Sequence, residues 1–219
     1  MQQQAPRRIT NHDALLAWVK SKSAPDRPVI IGVCGYPGAG KTTLCKAIAT
    51  DPETPIFHFD CDRFSKLNFM ERETHIARSR TGDTLDETAE NPLNWYAWNA
   101  IEAALDGIRT RGCFTYPHGW NRTTGELDQA YGITLPAHEP AVLLCDCIYL
   151  LHPPVHDWLD AVVLVDTPLS VTLTRGQARS KDPARAAYME RLTRTYTVPY
   201  FAAHGAAADL IFAGETDAA

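Results

Sequence analysis

The stretch "GVCGYPGAGKTT" (residues 32–43) decides the fold of this chain, because it crowds three glycines between an apolar run and a helical pattern. Residues 35–42 fit the pattern G-x-x-x-x-G-K-[ST]. Glycine adopts positive φ angles and lets the backbone approach a ligand closely. Successive N–H groups, backed by the start of a helix, can then face one anion. The stretch therefore predicts a loop that binds phosphate groups.

The side chains after the glycines have separate expected roles. Lys41 should reach the β- and γ-phosphates of a nucleotide, and the hydroxyl of Thr42 should ligate Mg²⁺. A glycine-rich turn with an exposed lysine is the alternative, but the strand-like run before the loop and the helical pattern after it argue against that alternative. The predicted nucleotide-binding residues are Gly35, Gly38, Ala39, Gly40, Lys41, Thr42 and Thr43.

Apolar runs on either side of this loop predict an α/β fold of the P-loop NTPase type. Residues 28–34, "PVIIGVC", form a continuous β-branched run, as expected of a strand buried on both faces. Strand and helix patterns alternate, which indicates a mostly parallel, five-stranded sheet with helices on both faces. Residues 113–126 are typical of a strand followed by a turn-rich loop or a hairpin. The other predicted strands are residues 55–60, 141–151, 160–166 and 208–212.

The composition limits the class of protein. The 219 residues are 45% hydrophobic and 21% charged, which suits one globular domain over residues 1–219. The net charge of −5 disfavours a dedicated binder of nucleic acid or membrane surfaces. The sequence has neither an apolar run of about 20 residues nor the apolar core of a secretory signal. The six cysteines contain no C-x-x-C pair and should be reduced thiols. We therefore expect a soluble, cytoplasmic protein.

Two carboxylates follow the second predicted strand. Asp60 and Asp62 stand at strand-end spacing in "HFDCDRFSK" (58–66). In a parallel sheet, the strand ends beside the phosphate loop face one crevice, where a carboxylate can accept a proton from an attacking hydroxyl. Capping of the next helix is the alternative role for either residue. We predict that Asp62 is catalytic, whereas Asp60 fits catalysis and capping equally well.

A third acid, Asp146, lies inside the strand-like run "AVLLCDC" (141–147). An acid in so apolar a run is costly unless it is paired or lies near a metal. We therefore predict that Asp146, together with Thr42, holds Mg²⁺ or a metal-bound water, as the acid of the second nucleotide-binding strand does. A buried capping role for Asp146 is the weaker alternative.

Arg175 and Arg179 lie four residues apart on one predicted helical face and are followed by Lys181 and Arg185. Two guanidinium groups so placed can hold a phosphoryl group while its negative charge is redistributed in the transition state. A row of charges on a helix is usually only a solvated face, but the phosphate loop favours a functional role. We predict that Arg175 and Arg179 are catalytic, together with Lys41.

These motifs, in this order, resemble the phosphoribulokinase/uridine kinase family of P-loop kinases over about residues 29–212. Asp62-Arg63-Phe64 resembles the family's Asp-x-Phe, whose aspartate is the catalytic base. "VLLCDCIYLL" (142–151) resembles the strand that usually reads Leu-Phe-Glu-Gly-Ile-Leu and puts Asp146 at the glutamate position. "VDTPLSVTLTRGQARS" (165–180) resembles the stretch that enters the family's lid and puts the predicted arginine pair at lid arginines.

The resemblance implies transfer of the γ-phosphoryl group of ATP to a hydroxyl of a small metabolite, with Mg²⁺ as the cofactor. It implies a lid at about residues 175–195 and an acceptor-binding insertion with a hairpin at about residues 91–135. In this mechanism Asp62 takes the hydroxyl proton, while Lys41, Mg²⁺ and the lid arginines stabilise the transferring group. Closure of the lid would exclude water from the reaction.

Two departures from the family pattern concern the acceptor. Uridine kinases carry a His-Pro-Asp-Ala-Phe-Asp stretch whose second aspartate grips the ribose diol, whereas Tyr96 stands at that position here. Residues 116–118, Tyr-Pro-His, replace the Tyr-Asp-Phe that precedes the base-binding hairpin. We therefore expect an acceptor pocket of another shape, with an aromatic wall and a cationic group. Its predicted residues, besides Asp62, are Trp95, Tyr116, His118, Trp120 and Arg122, whereas Trp98 is expected in the core.

Two other classes of function remain open at this stage: a nucleotide-hydrolysing switch or chaperone, and a catalytically silent nucleotide-binding module. A GTPase switch normally carries an Asn-Lys-x-Asp motif, which the sequence lacks. The expected partners are ATP and a small alcohol, with neither nucleic acid nor a membrane. The sequence does not distinguish ATP from GTP as the preferred nucleotide. It also does not determine whether the protein is a monomer or a homo-oligomer.

Overall fold

The computed structural model describes residues 6–81, 87–137, 140–180 and 182–213. Its strands are β1 (Arg7–Ile9), β2 (Val29–Cys34), β3 (Ile56–Asp60), β4 (Cys113–Gly119), β5 (Gln129–Thr134), β6 (Val142–Asp146), β7 (Ala161–Val165) and β8 (Leu210–Phe212). Its α-helices are α1 (His12–Lys22), α2 (Lys41–Ile48), α3 (Phe69–Thr81), α4 (Glu87–Glu90), α5 (Trp98–Arg111), α6 (Leu169–Arg179), α7 (Pro183–Leu192) and α8 (Val198–His204).

The larger sheet has six strands in the order β1-β8-β7-β2-β6-β3, and every neighbouring pair is parallel. The predicted α/β fold with a parallel sheet is confirmed, but the predicted number of strands, five, was wrong. The additional strand is β1, which pairs with β8 in the register Arg7↔Leu210. It has only three residues, two of them exposed arginines, so it carries no apolar alternation that a sequence pattern could detect.

Helices pack on both faces of this sheet, as predicted. Every residue of β2 is buried, and successive side chains of a strand point to opposite faces. Ile30 packs in one core cluster with Ile101 of α5. Ile31 packs in a second cluster with Leu15 of α1 and Leu44 of α2. The continuous apolar run before the glycines is therefore the middle layer of the structure.

The smaller sheet is the antiparallel hairpin β4–β5, which confirms the hairpin pattern of the sequence. Phe114 on β4 packs against Phe59 at the end of β3, with ring centroids 5.3 Å apart. The hydroxyl of Tyr131 on β5 accepts a hydrogen bond of 2.8 Å from the backbone N–H of Asp60. These contacts hold the hairpin beside the end of β3, so the loop that joins its strands lies near the predicted base.

The carboxyl ends of β2, β6 and β3 lie side by side. Asp146 is opposite Val33 on one neighbouring strand and opposite Asp60 on the other. The glycine loop after β2, the 3-10 helix Cys61–Phe64 after β3 and Asp146 at the end of β6 therefore meet at one edge of the sheet. Ligands of open parallel sheets bind beyond this edge.

The cysteines and the length and hydropathy of the helices are two further features of the structure. The six cysteines are all free thiols in this structure, and five of them are buried. Among the helices in the described ranges, none combines the length and the apolar character that crossing a membrane requires.

Candidate functional site

The glycine loop adopts a backbone conformation that only glycine accepts easily. Gly35, Gly38 and Gly40 have φ angles of 148°, 88° and 95°. A Cβ atom on Gly38 would lie 2.8 Å from the carbonyl oxygen of Thr172, so α6 packs directly on the loop. The loop ends at Gly40, and α2 begins at the next residue. The positive end of the α2 dipole and the loop together form the anion-binding arrangement that the motif predicts.

Lys41 is folded against its own loop. Its side chain is buried, and Nζ donates hydrogen bonds of 3.1 Å to the carbonyl oxygens of Gly35 and Tyr36. An ammonium group has three hydrogens to donate, so two bonds to the loop leave one donor for a ligand. Lys41 also lines a cavity of about 300 Å³ at this edge of the sheet. The structure thus places its charge where a phosphate group in that cavity would need it.

Asp146 and Thr42 supply oxygen donors to the same cavity. The Thr42 hydroxyl donates to Oδ2 of Asp146 at 2.5 Å, and Nε2 of His58 lies 3.3 Å from the same oxygen. Burial disfavours the Asp146 carboxylate, yet the hydrogen bonds from His58 and Thr42 and the charge of Lys41 outweigh burial and lower its pKa. An ionised carboxylate beside a hydroxyl is the kind of donor set that Mg²⁺ prefers, so the predicted metal residues fit the ion.

Softer donors lie beside these oxygens. Single donor atoms of Cys45, His58 and Asp146 lie within 4.8 Å of one another, so this group could also hold a metal such as Zn²⁺. No motif in the sequence points to Cys45 or His58. Cys45 lies three residues after Thr42 on one face of α2. That spacing alone does not indicate a metal site, because the third residue, His58, comes from β3.

Asp60 is engaged in local structure. Its Oδ1 accepts a hydrogen bond of 3.1 Å from the backbone N–H of Asp62 and caps the 3-10 helix after β3. Its Oδ2 accepts a hydrogen bond of 2.7 Å from the guanidinium group of Arg122. Both carboxylate oxygens therefore have partners, which favours the capping role over the catalytic one.

Asp62 faces the cavity. Its side chain is 51% exposed, and it lines the same space as Lys41 and Asp146. The Tyr96 hydroxyl donates to Oδ1 at 3.4 Å, and a guanidinium nitrogen of Arg122 lies 3.7 Å from Oδ2. Desolvation by the cavity walls, followed by repulsion from the neighbouring carboxylates, raises the pKa of Asp62. A carboxylate with a raised pKa is a stronger base than an ordinary aspartate.

A larger cavity of about 930 Å³ adjoins the first. Arg122 and Phe69 line it, and it extends between the hairpin loop, α3, α6 and α7. The two cavities form one cleft, because they share eight lining residues: Pro37, Gly38, Arg72, Trp95, Trp120, Arg179, Met189 and Thr193. The phosphate loop thus lies at one end of a space large enough for a nucleotide and a small second ligand.

The predicted lid arginines have different positions. Arg179 lines both cavities beside Gly38, whereas Arg175 lines neither. Arg185 lines the larger cavity, and its guanidinium group forms an ion pair of 2.6 Å with Glu73 of α3. Lys181 lies outside the described residues. The structure therefore brings one of the two predicted catalytic arginines to the phosphate loop.

Only some of the predicted acceptor residues line the cleft. Trp95, Trp120 and Arg122 line the cleft. Tyr116 instead stacks on Phe64, with ring centroids 4.6 Å apart, and His118 is exposed; neither lines the two cavities. Aromatic residues alternate along β4, and a sequence pattern does not say which face of the hairpin turns toward the cleft.

Trp98 packs on the core, in line with the expectation. Its ring centroid lies 5.1 Å from that of Tyr96 and 6.5 Å from that of Trp158, and its Nε1 donates to the carbonyl oxygen of Leu93. Tyr96 is buried, whereas Trp98 is partly buried, and the Tyr96 hydroxyl reaches Asp62. The tyrosine that stands where uridine kinases carry an aspartate therefore contacts the predicted base.

Arg72 is a residue of the cleft that the sequence analysis missed. It lies on α3, lines both cavities and packs on the ring of Trp120. The segment 69–81 is rich in charge and carries several arginines, so no local signal distinguishes this one. Only the packing of α3 against the hairpin loop identifies Arg72 as a residue of the cleft.

Comparisons with known proteins agree with the fold. No protein-family model matches the sequence, and no curated protein matches it significantly. The structure is similar to a protein described as a fructose transport system kinase from Silicibacter sp. TM1040, with a TM-score of 0.68, 18% identity and coverage of 94% of this chain and 100% of that one. It is also similar to a protein described as a possible uridine kinase from Bacillus stearothermophilus (TM-score 0.60, 15% identity, coverage 92% and 97%).

A third solved structure, phosphoribulokinase from Rhodobacter spheroides, has a TM-score of 0.57 and 11% identity, with coverage of 83% of this chain and 69% of that one. The three proteins are named as kinases of small molecules. At these identities the likeness concerns the fold, and the resemblance to phosphoribulokinase and uridine kinases is confirmed at that level.

Proposed function

We propose that this protein is a kinase that transfers the γ-phosphoryl group of ATP to a hydroxyl group of a small metabolite. The observation that carries the proposal is the position of Asp62, whose carboxylate lines the same cavity of about 300 Å³ as Lys41, Thr42 and Asp146. A phosphate loop serves many classes of P-loop protein. A carboxylate in the same cavity as that loop supplies, in addition, the base that an alcohol acceptor needs.

In the proposed reaction, the acceptor hydroxyl lies between Asp62 and the γ-phosphorus. Its proton moves to the Asp62 carboxylate as its oxygen bonds to phosphorus, and the bond from phosphorus to the bridging oxygen of ADP breaks. Tyr96 donates to Oδ1 of Asp62, and Arg122 lies beside Oδ2, so the carboxylate is oriented from two sides. The raised pKa of Asp62 makes proton acceptance more favourable.

The transferring group carries negative charge, which the other side of the cavity can stabilise. Lys41 and the start of α2 face this charge, and Arg179 lies beside Gly38 at the mouth of the loop. Mg²⁺, when bound, would be held by Thr42 and Asp146 and would neutralise charge on the phosphate oxygens. Asp60 is proposed as a positioning residue, because it holds both the turn that presents Asp62 and the guanidinium group of Arg122.

The proposed acceptor site lies where the two cavities meet, beside Asp62, and residues 175–195 are its proposed lid. The insertion at about residues 91–135 contributes Trp95, Trp120 and Arg122 to the cavity wall. Two ion pairs hold the lid segment against the rest of the domain: Arg185 with Glu73 at 2.6 Å, and Arg191 with Glu90. Exchange of these pairs for others could accompany opening and closing of the lid over the phosphates.

An acceptor screen tests the proposal against its two alternatives. The purified protein is incubated with Mg²⁺, ATP or GTP and candidate alcohols, and ADP or GDP formation is followed. Nucleotide turnover that depends on an acceptor, with a phosphorylated product in mass spectrometry, is the expected result. Hydrolysis at the same rate without any acceptor would identify a switch, and nucleotide binding without turnover would identify a silent module; either result contradicts the proposed kinase.

A substitution of His58 tests the metal residues. We expect His58→Ala to raise the Mg²⁺ concentration for half-maximal turnover by about 10-fold or more, the usual scale for a residue that orients a metal ligand. The reason is that His58 lies 3.3 Å from Oδ2 of Asp146 and lowers the pKa of that carboxylate. Turnover at saturating Mg²⁺ should change little. His156→Ala, at a partly buried histidine next to Ala207, is the control, and equal Mg²⁺ requirements in both variants would refute the assignment.

The pH dependence of turnover tests the environment of Asp62. Because the cavity raises the pKa of Asp62, the acid limb of kcat/KM should lie at a higher pH than for an ordinary aspartate, and activity should fall as pH drops through it. Tyr96→Phe removes a hydrogen bond that favours the ionised carboxylate, so the limb should move to still higher pH. A limb at the same pH in both proteins would show that Tyr96 does not act on the base.

A further inference from the structure

Arg72 is held in one orientation at the junction of the two cavities. Its guanidinium carbon lies 4.4 Å from the centre of the Trp120 ring. Its Nη2 donates a hydrogen bond of 2.8 Å to Oγ of Ser65. That Oγ donates to the carbonyl oxygen of Leu67 at 2.7 Å and accepts from the N–H of Leu67 at 3.1 Å. A side chain fixed by both packing and a supported hydrogen bond is preorganised to bind a ligand.

Arg72 forms no direct ion pair with any carboxylate of the described residues; the Asp62 charge acts on it only from a distance. The neighbouring arginines differ, since Arg122 lies 2.7 Å from Asp60 and Arg185 lies 2.6 Å from Glu73. The Nε atom of Arg72 is buried and has no hydrogen-bond partner in the described part of the chain. Burial lowers the pKa of Arg72 and outweighs the opposing effect of the nearby Asp62 charge, yet an arginine keeps its charge in proteins. A largely buried positive charge without a direct ion pair is unfavourable, and an anion that binds it would relieve that cost.

The place of this charge relative to the proposed base defines what kind of molecule fits. Arg72 and Asp62 line the same small cavity, and the Trp120 ring forms part of the wall that both face. A ligand that places a hydroxyl at Asp62 can therefore place another group of the same small molecule at Arg72. An oxyanion suits that second position, because guanidinium groups bind carboxylates and phosphates with two parallel hydrogen bonds.

We infer that the acceptor of the proposed kinase is an anionic alcohol, whose carboxylate or phosphate group binds Arg72 while its hydroxyl faces Asp62. The inference rests on the proposed function for the phosphoryl transfer, but the anion site itself does not. It predicts polyhydroxy acids or phosphorylated alcohols as substrates in preference to uncharged nucleosides and sugars. The carboxylate and phosphate classes share one chemistry at Arg72 and are separated by the choice of probes below.

The first experiment measures binding without turnover. Glycerate, gluconate, ribose 5-phosphate and inorganic phosphate are titrated calorimetrically into the protein saturated with Mg²⁺ and ADP, so that the nucleotide already occupies the glycine loop. We expect at least one organic anion to bind the parent and its affinity to fall by about 10²-fold in Arg72→Met, the scale of a lost hydrogen bond to a charged group. Arg109→Met, on the outer face of α5 beside Asp160, is the matched control and should bind like the parent.

The second experiment compares acceptors that differ in charge. Turnover is followed in the parent, Arg72→Met and Arg72→Lys with three pairs of acceptors. The pairs are glycerate and glycerol, gluconate and glucose, and ribose 5-phosphate and ribose. For an anionic acceptor, Arg72→Met should raise KM by about 10²-fold with a smaller change in kcat. Arg72→Lys keeps the charge without the planar fork and should restore part of the affinity. Thermal unfolding of each variant shows whether it is folded.

The outcomes separate the inference from the proposed function. Acceptor-dependent turnover of neutral alcohols only, or an equal loss for neutral and anionic acceptors in Arg72→Met, would overturn the inference and leave the kinase standing. Anion binding that depends on Arg72 without turnover of any acceptor would support the anion site and contradict the kinase. The absence of both anion binding and preference for anionic acceptors would overturn the inference outright.

Discussion

Asp62→Asn is expected to lower kcat by about 10²-fold or more, the usual contribution of a general base. The amide cannot accept the hydroxyl proton, although it keeps the shape of the carboxylate and its contact with Tyr96. The affinity for ATP should stay nearly unchanged, because the predicted phosphate contacts come from Lys41 and the glycine loop and not from Asp62. Steady-state rates at saturating acceptor, with nucleotide binding measured separately, test this result.

Loss of activity in Asp62→Asn should not come from unfolding. The fold raises the pKa of Asp62, so the ionised carboxylate is disfavoured in the folded state and reduces stability as pH rises through that pKa. Replacing it with a neutral amide should therefore not lower the melting temperature at neutral pH. Asp60→Asn is the informative companion: it should weaken the cap and the pair with Arg122, with a melting temperature below that of the parent. Near-normal turnover in Asp62→Asn, with strong loss in Asp60→Asn, would move the base to Asp60.

The second large effect is expected for Lys41→Ala, which should lower kcat by about 10²–10³-fold, the scale of a lost oxyanion donor, and also raise the KM for ATP. Both parameters should change for two reasons. Nζ is the cationic donor nearest to the loop, and its hydrogen bonds to the carbonyl oxygens of Gly35 and Tyr36 hold the loop closed. Steady-state kinetics and calorimetric titration with Mg-ATP measure the two effects separately.

Lys46→Ala is the matched control for Lys41→Ala. Lys46 lies in the last turn of the same helix, α2, where its side chain is exposed. Its removal changes the net charge by the same amount but leaves the loop untouched, so kinetics like those of the parent are expected. If Lys41→Ala bound ATP and turned over as the parent does, the assignment of the glycine loop as the phosphate site would be refuted.

Much of the fold could be predicted from local pattern. The φ angles of Gly38 and Gly40 are the positive values that the motif requires, and β2 is buried on both faces as its unbroken apolar run indicates. The first strand, β1, escaped prediction because its two arginines and single buried isoleucine carry no pattern of their own. It becomes a strand only because the edge of β8 is there to pair with it.

The candidate site was predictable in the residues that belong to a motif. Lys41, Thr42 and Asp62 were identified from spacing and Asp146 from its place in an apolar run, and the structure brings all four to one cavity. Of the residues chosen only for their aromatic or basic character, some line the cleft and others do not. Tyr116 stacks on Phe64 instead of lining the cleft, because its direction depends on how the hairpin packs against β3.

The amino-acid sequence by itself determined the phosphate loop, the parallel α/β layering and the carboxylates at the strand ends. These features depend on backbone freedom at glycine and on the periodicity of apolar residues, both of which act over a few neighbouring positions. Only the tertiary structure decided that Asp60 is held by Arg122 and that Arg72 packs on Trp120 with a buried Nε that has no hydrogen-bond partner among the described residues. Charge compensation and burial depend on groups from distant parts of the chain that share one small volume, and no local pattern records which groups those will be.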